Sequence, residues 1–174
     1  ILGIANTFTK TGTLNVTKTV PNTIIYNSPG AQNIVNTTYN NLILSNGGTK
    51  TAAGAITVNN DFTINTGVTF AAASFTFSLY RHFTNNGSFT ASPSTVQLLG
   101  ANAADVTGAT TFNNLTVNKT TSAVWVTQMN NLTTNNLTMT KGNIQTGSFS
   151  ITITGTRTGT GLIIGTITHS HAFA

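Results

Sequence analysis

Residues 37–44 read TTYNNLIL and residues 110–117 read TTFNNLTV, 73 positions later, and this recurrence limits what the chain can fold into. Three further matches flank it in the same order. Residues 8–14 align with 83–89 at an offset of 75, residues 56–60 with 132–136 at 76, and residues 74–77 with 148–151 at 74. Four ordered matches that drift by three residues indicate an internal duplication of about 75 residues, covering 6–80 and 81–154, with terminal strands at 155–174. A shorter period lies within each copy. Asn-Asn pairs begin at positions 40, 59, 85, 113, 130 and 135, and apolar-Thr-apolar strings often follow them.

The apolar residues alternate with polar ones over short stretches, the period of strands that bury one face. Ile24 to Tyr26, Gln32 to Val35, two strands around Asn59-Asn60-Asp61 and SFTFSLY at 74–80 all read as extended. Helical periodicity is absent throughout. The chain contains 38 Thr, 23 Asn and 16 Gly. Thr suits a pleated, half-buried surface, whereas Asn and Gly tolerate the positive φ of tight turns. The fold expected is all-β: a single parallel β-helix or β-solenoid domain over 1–174, with seven to nine coils of roughly 20 residues stacked about 4.8 Å apart. Tyr39, Leu42, Leu44, Phe112, Leu115 and Val117 are its expected core rungs, and corner Asn residues are expected to bond to Asn above and below. An antiparallel β-sandwich or jelly roll also uses many short strands, and composition does not separate the two.

Seven Lys or Arg and two acids leave the chain 5% charged with a formal charge of +5. The seven cations never cluster, so no phosphate-tracking groove and no nucleic-acid partner is expected. Cysteine is absent, which excludes disulfides and thiolate metal sites. No apolar run approaches the roughly 18 residues of a membrane span, so no membrane insertion is expected. The opening residue Ile1 and the lack of a basic, apolar leader fit a chain whose signal peptide has been removed, which implies an extracellular or cell-surface location.

The strings TTFNNLTVNKT and MNNLTTNNLTMTKGNIQTGSFSITITG resemble repeats of large secreted bacterial surface proteins, adhesin-like and built as parallel β-helices. Residues 142–152 fit the second segment of such repeats, and the resemblance spans roughly 6–155. It implies an architecture and a surface setting. It implies no active site, because these repeats share none.

The chemistry-bearing residues are few. Asp61 and Asp105 are the only carboxylates, and they fall at non-equivalent places in the 75-residue repeat, so neither a glycosidase pair nor a Ca²⁺ cage is expected. The chain is read as no enzyme, with no cofactor. His169 and His171 share a strand face and are weak metal-ligand candidates if His82 or a second subunit supplies a third nitrogen. Trp125 is a possible sugar platform. Thr152, Thr154, Thr156, Thr158 and Thr160 would stand on one face of a single extended strand, as would Thr7, Thr9, Thr11 and Thr13, an array of the kind that binds ice.

Both ends of the chain are apolar and lack an evident cap. Ile1, Leu2, Ile4 and Phe8 lie at one end, and Leu162, Ile163, Ile164, Ile167 and Phe173 at the other. Open solenoid edges invite pairing with a second copy. The expected function is therefore a structural subunit of an extracellular filament or surface layer, a head-to-tail homopolymer joined through β edges or strand donation. An adhesin stalk or a carbohydrate-binding module with surface glycans as partners is the alternative, and an ice-binding protein a lesser one.

Overall fold

The computed structural model describes residues 1–6, 22–91 and 93–169. These form an all-β solenoid of about eight turns without a helix. After β1 (Leu2–Ile4), the next turns each carry three short strands. They are β2 (Thr23–Tyr26), β3 (Gln32–Ile34) and β4 (Thr38–Tyr39); then β5 (Asn41–Leu44), β6 (Gly48–Ala52) and β7 (Ile56–Val58). The pattern continues with β8 (Phe62–Ile64), β9 (Val68–Ala71) and β10 (Thr76–Leu79), and with β11 (Phe83–Asn85), β12 (Ser88–Thr90) and β13 (Thr95–Gly100). Later strands lengthen and bend round corners: β14 (Ala104–Thr107), β15 (Thr110–Lys119), β16 (Trp125–Gln128), β17 (Leu132–Lys141), β18 (Asn143–Ile153), β19 (Arg157–Gly159) and β20 (Ile163–His169).

Every ladder is parallel, which excludes the antiparallel sandwich. The ladders define three faces. The first stacks β1, β2, β5, β8, β11, β14 and β16, then the opening residues of β18 and β20. The second holds β3, β6, β9 and β12, then the starts of β15 and β17, the end of β18 and the end of β20. The third holds β4, β7, β10, β13, the later halves of β15 and β17, and β19.

One column on the first face shows how sequence becomes core. Ile24, Leu42, Phe62, Phe83, Val106 and Gln128 are successive register partners. All six are buried, and the residues beside them in each strand are not. This is the strand alternation read across turns. In the middle turns the interior is aromatic, with Phe62 and Phe83 5.6 Å apart, Phe70 and Phe89 5.9 Å apart, and Phe83 and Phe112 5.8 Å apart. Such offset and tilted ring pairs add about 0.5–1.5 kcal/mol each to their area burial.

The six expected rungs Tyr39, Leu42, Leu44, Phe112, Leu115 and Val117 are all buried. The matched strings, however, do not lie above one another. Tyr39 belongs to the third face and shares a column with Val58, Leu79, Leu98 and Val117. Phe112 belongs to the second face, in register with Thr134, and Thr134 with Ile153. An offset of 73 is roughly three and two-thirds turns at about 20 residues per turn. The 56–60 and 74–77 matches likewise move from the third face to the second. What recurs is a corner with two strand arms, set one face round.

Candidate functional site

Two end faces carry the expected assembly residues. Interior turns cover each other, so a position that is buried inside the stack becomes exposed where the stack stops. Leu2 is in register with Ile24, yet it is 48% exposed where Ile24 is 4%. Ile4, over Tyr26, is buried. At the other end Ile167 pairs with Ile151 and is 45% exposed where Ile151 is 0%. Ile163 packs partly against the core over Ile144. Ile1, Leu162 and Ile164 are exposed as well. Among the described residues β1 pairs only with β2, β20 only with β18 and β19 only with β17, so each has a ladder partner there on one side only. Phe8 and Phe173 lie outside the described residues.

The fold brings the two acids onto one face. Non-equivalent in the 75-residue repeat, they nevertheless share one outward column of the first face. Asn41, Asp61, His82, Asp105, Thr127 and Gln145 follow one another rung by rung. His82 therefore stands between the two carboxylates of the chain. Its Nδ1 lies 3.1 Å from Asp105 Oδ2 and accepts the Asp105 backbone N–H at 3.1 Å. Beside it, Arg81 Nη1 donates to Asn60 Oδ1 at 2.9 Å. Asp61 and Asp105 are two rungs apart, about 10 Å along the solenoid axis, with His82 on the rung between them. Among the described residues no side-chain hydroxyl bonds the imidazole. The pair is partly solvated, so it ties adjacent turns together weakly.

Corner Asn residues do bond between turns. Asn60 Nδ2 donates to Asn41 Oδ1 at 2.7 Å, and Asn41 Nδ2 to the Asn22 carbonyl at 3.2 Å. At another corner Asn136 Nδ2 donates to Asn114 Oδ1 at 2.9 Å, and Asn136 Oδ1 accepts from Thr156.

The remaining candidates are dispersed. His169 ends β20 on the second face, whereas His82 lies four rungs away on the first, so the two do not converge; His171 lies outside the described residues. Among the described residues no group of three His, Asp or Glu is placed to hold a metal. Trp125 points outward beside inward Val126, but it is half-buried rather than an open platform. The Thr string of 152–160 is not one flat array. It rounds a corner at Gly155, with Thr152 on the second face and Thr158 on the third. Thr7, Thr9, Thr11 and Thr13 lie outside the described residues.

Sequence periodicity missed two interior lysines. Lys50 is fully buried, in register between Gln32 and Phe70, and its Nζ donates to the carbonyls of Ser28, Gly30 and Gly47 at 2.5, 3.1 and 2.8 Å. Burial pushes its ammonium below the ordinary lysine range. Lys119 is 1% exposed, donates to the Leu99 carbonyl at 2.7 Å, and is pushed down by burial to about 8. Both sit in Thr/Asn-rich strings where a charged residue reads as an outward one. The missed signal lay in their glycine-bearing corners. Gly48, at φ +68°, has no room for a Cβ against the Gly30 carbonyl, and that close approach brings the carbonyls within reach of Lys50.

Comparison with protein-family models, with curated proteins and with solved structures gives no match.

Proposed function

We propose that this chain is a structural subunit that associates end to end into an extracellular filament or surface layer. The supporting observation is the contrast between equivalent positions: Leu2 against Ile24 at one end, and Ile167 against Ile151 at the other. Each exposed residue occupies a column whose next member inward is buried. A second copy stacked on either end would bury it, and burying such a side chain is favourable by about 1.5–3 kcal/mol. β1, β19 and β20 would each gain a second ladder partner in the same step. Because one end docks on the other, the contact is heterologous, and a heterologous contact that does not close produces a filament. The resemblance to adhesin-like surface proteins supports the extracellular setting.

Sedimentation velocity over a concentration series, followed by negative-stain microscopy, tests this reading. The expected result is concentration-dependent growth into unbranched filaments one solenoid wide. A single monomeric species at every concentration would defeat it.

A further inference from the structure

The second face holds a discontinuity that the other two do not. Its ladder runs through β3, β6, β9 and β12 and stops there, although β11 continues to β14 on the first face and β13 to β15 on the third. Among the described residues no backbone ladder joins β12 to β15. The turn containing this break is also long, with 23 residues between register partners Phe83 and Val106.

A cleft of about 330 Å³ opens at the break. It is bounded by Phe89 and Phe112, whose rings are 5.7 Å apart, and by Ala91, and it continues past Asn113 to Asn135 and Thr154. Phe112, Thr134 and Ile153 are register partners, so the residues that follow them, Asn113, Asn135 and Thr154, stack at one corner of three successive turns. With Thr90 and Ala91 of the preceding turn, the cleft spans three rung steps, on the order of 14 Å along the solenoid axis.

Two features define its chemistry. No ionisable side chain lines it. Its rim also keeps hydrogen-bonding capacity. Asn41, Asn60, Asn114 and Asn136 are occupied in bonds between turns, whereas the side-chain amides of Asn113 and Asn135 make no hydrogen bond to other described residues. Asn135 is exposed and Asn113 half-buried. An apolar floor of aromatic carbon beside unoccupied amides and the hydroxyls of Thr90 and Thr111 matches a ligand with one C–H face and many neutral hydroxyls.

From this juxtaposition we propose that the corner cleft is a binding site for a short neutral saccharide lying along the solenoid axis. The ring C–H groups rest on Phe89, and Asn113 and Asn135 bond hydroxyls of successive sugar units. The site lies away from Leu2 and from Trp125, and at its far end it reaches Thr154, in the rung that β19 continues.

The test is saturation-transfer NMR and calorimetric titration of the full chain with cellobiose, maltose and chitobiose. Saturable binding of at least one at millimolar concentration or below is expected. Asn135→Ala and Asn113→Ala should each weaken it about fivefold, the effect of one lost hydrogen bond, with unchanged melting temperature. Trp125→Ala should leave it intact. Absence of binding by all three disaccharides, binding lost with Trp125→Ala, or binding unaffected by both Asn substitutions would each overturn the proposal. Phe89→Ala is a poorer probe, because Phe89 also stacks on Phe70 in the interior.

Discussion

Ile1 and Ile164 occupy opposite ends of one outward column. Ile1 precedes Leu2, which pairs with Ile24, so it stands over Thr23; Ile164 pairs with Gln145. Between them the column reads Thr23, Asn41, Asp61, His82, Asp105, Thr127 and Gln145, polar at every rung. Within this column isoleucine is thus confined to the two rungs that a neighbouring copy would cover. Ile1→Asp or Ile164→Asp is expected to raise the dissociation constant of self-association on the order of tenfold or more. The melting temperature should stay within experimental scatter, since both residues are exposed. Sedimentation at matched concentrations reads the first quantity and circular dichroism the second.

Alkaline pH separates the interior polar groups. Burial pushes Lys119 down to about 8 from an ordinary 10.5, so between these values the unfolded chain holds a proton that the folded chain has released. Stability therefore rises with pH across that window, by up to about 3 kcal/mol, and buried Lys50 works in the same direction. Tyr26 and Tyr39 act oppositely. Their hydroxyls lie 2.9 Å apart, Tyr39 donates to the Val35 carbonyl, and Tyr26 accepts the Val35 N–H. Burial raises both phenols above 10, so unfolded phenols ionise first and stability falls above pH 10. A thermal-melting series should peak near pH 10. In Lys119→Met the rise that precedes the peak should shrink markedly.

The architecture was legible in the sequence because its cause is periodic. Strand alternation named Leu42, Leu44, Leu115 and Val117, and Asn-Gly corners named the turn at Asn46-Gly47-Gly48, where all three residues have positive φ. Placement around the axis was not legible. Turns of unequal length accumulate angular offset, so strings that match at 73 residues come to lie on different faces. The same drift concealed the Asp61–His82–Asp105 column, whose members sit at irregular spacings of 21 and 23 residues. Lys50 was hidden for another reason: its inward course is set by two carbonyls of the preceding turn and one of its own corner, which strand alternation does not encode.

Those three carbonyls make Lys50→Met informative. Methionine keeps the aliphatic volume beside Phe70 but leaves the carbonyls of Ser28, Gly30 and Gly47 without their donor. The expected cost is about 2–4 kcal/mol, reduced because the desolvation of the ammonium is relieved at the same time. Chemical denaturation at neutral pH measures it. A neutral or stabilising outcome would mean that the corner carbonyls are solvated in solution.

Corner asparagines are expected to divide into two classes. Asn41→Ala removes the acceptor of both the Asn60 amide and the Asp61 N–H as well as the donor to the Asn22 carbonyl. It should cost about 1–3 kcal/mol. Asn113→Ala breaks no bond between turns and should change stability by no more than about 0.5 kcal/mol. Equal losses at both positions would remove the distinction on which the saccharide cleft rests.

The end-to-end contact itself can be trapped, because the chain contains no cysteine. If copies stack with the ladder continued, Ile1 of one lies one rung beyond Ile164 of the next. The Cα separation is then about 4.8 Å, within the range a disulfide spans. An Ile1→Cys, Ile164→Cys double variant oxidised at high concentration is predicted to give a ladder of covalent multimers on non-reducing gels. Each single variant should give dimers at most. Monomers alone from the double variant, or a ladder no longer than that of the single variants, would contradict head-to-tail stacking directly.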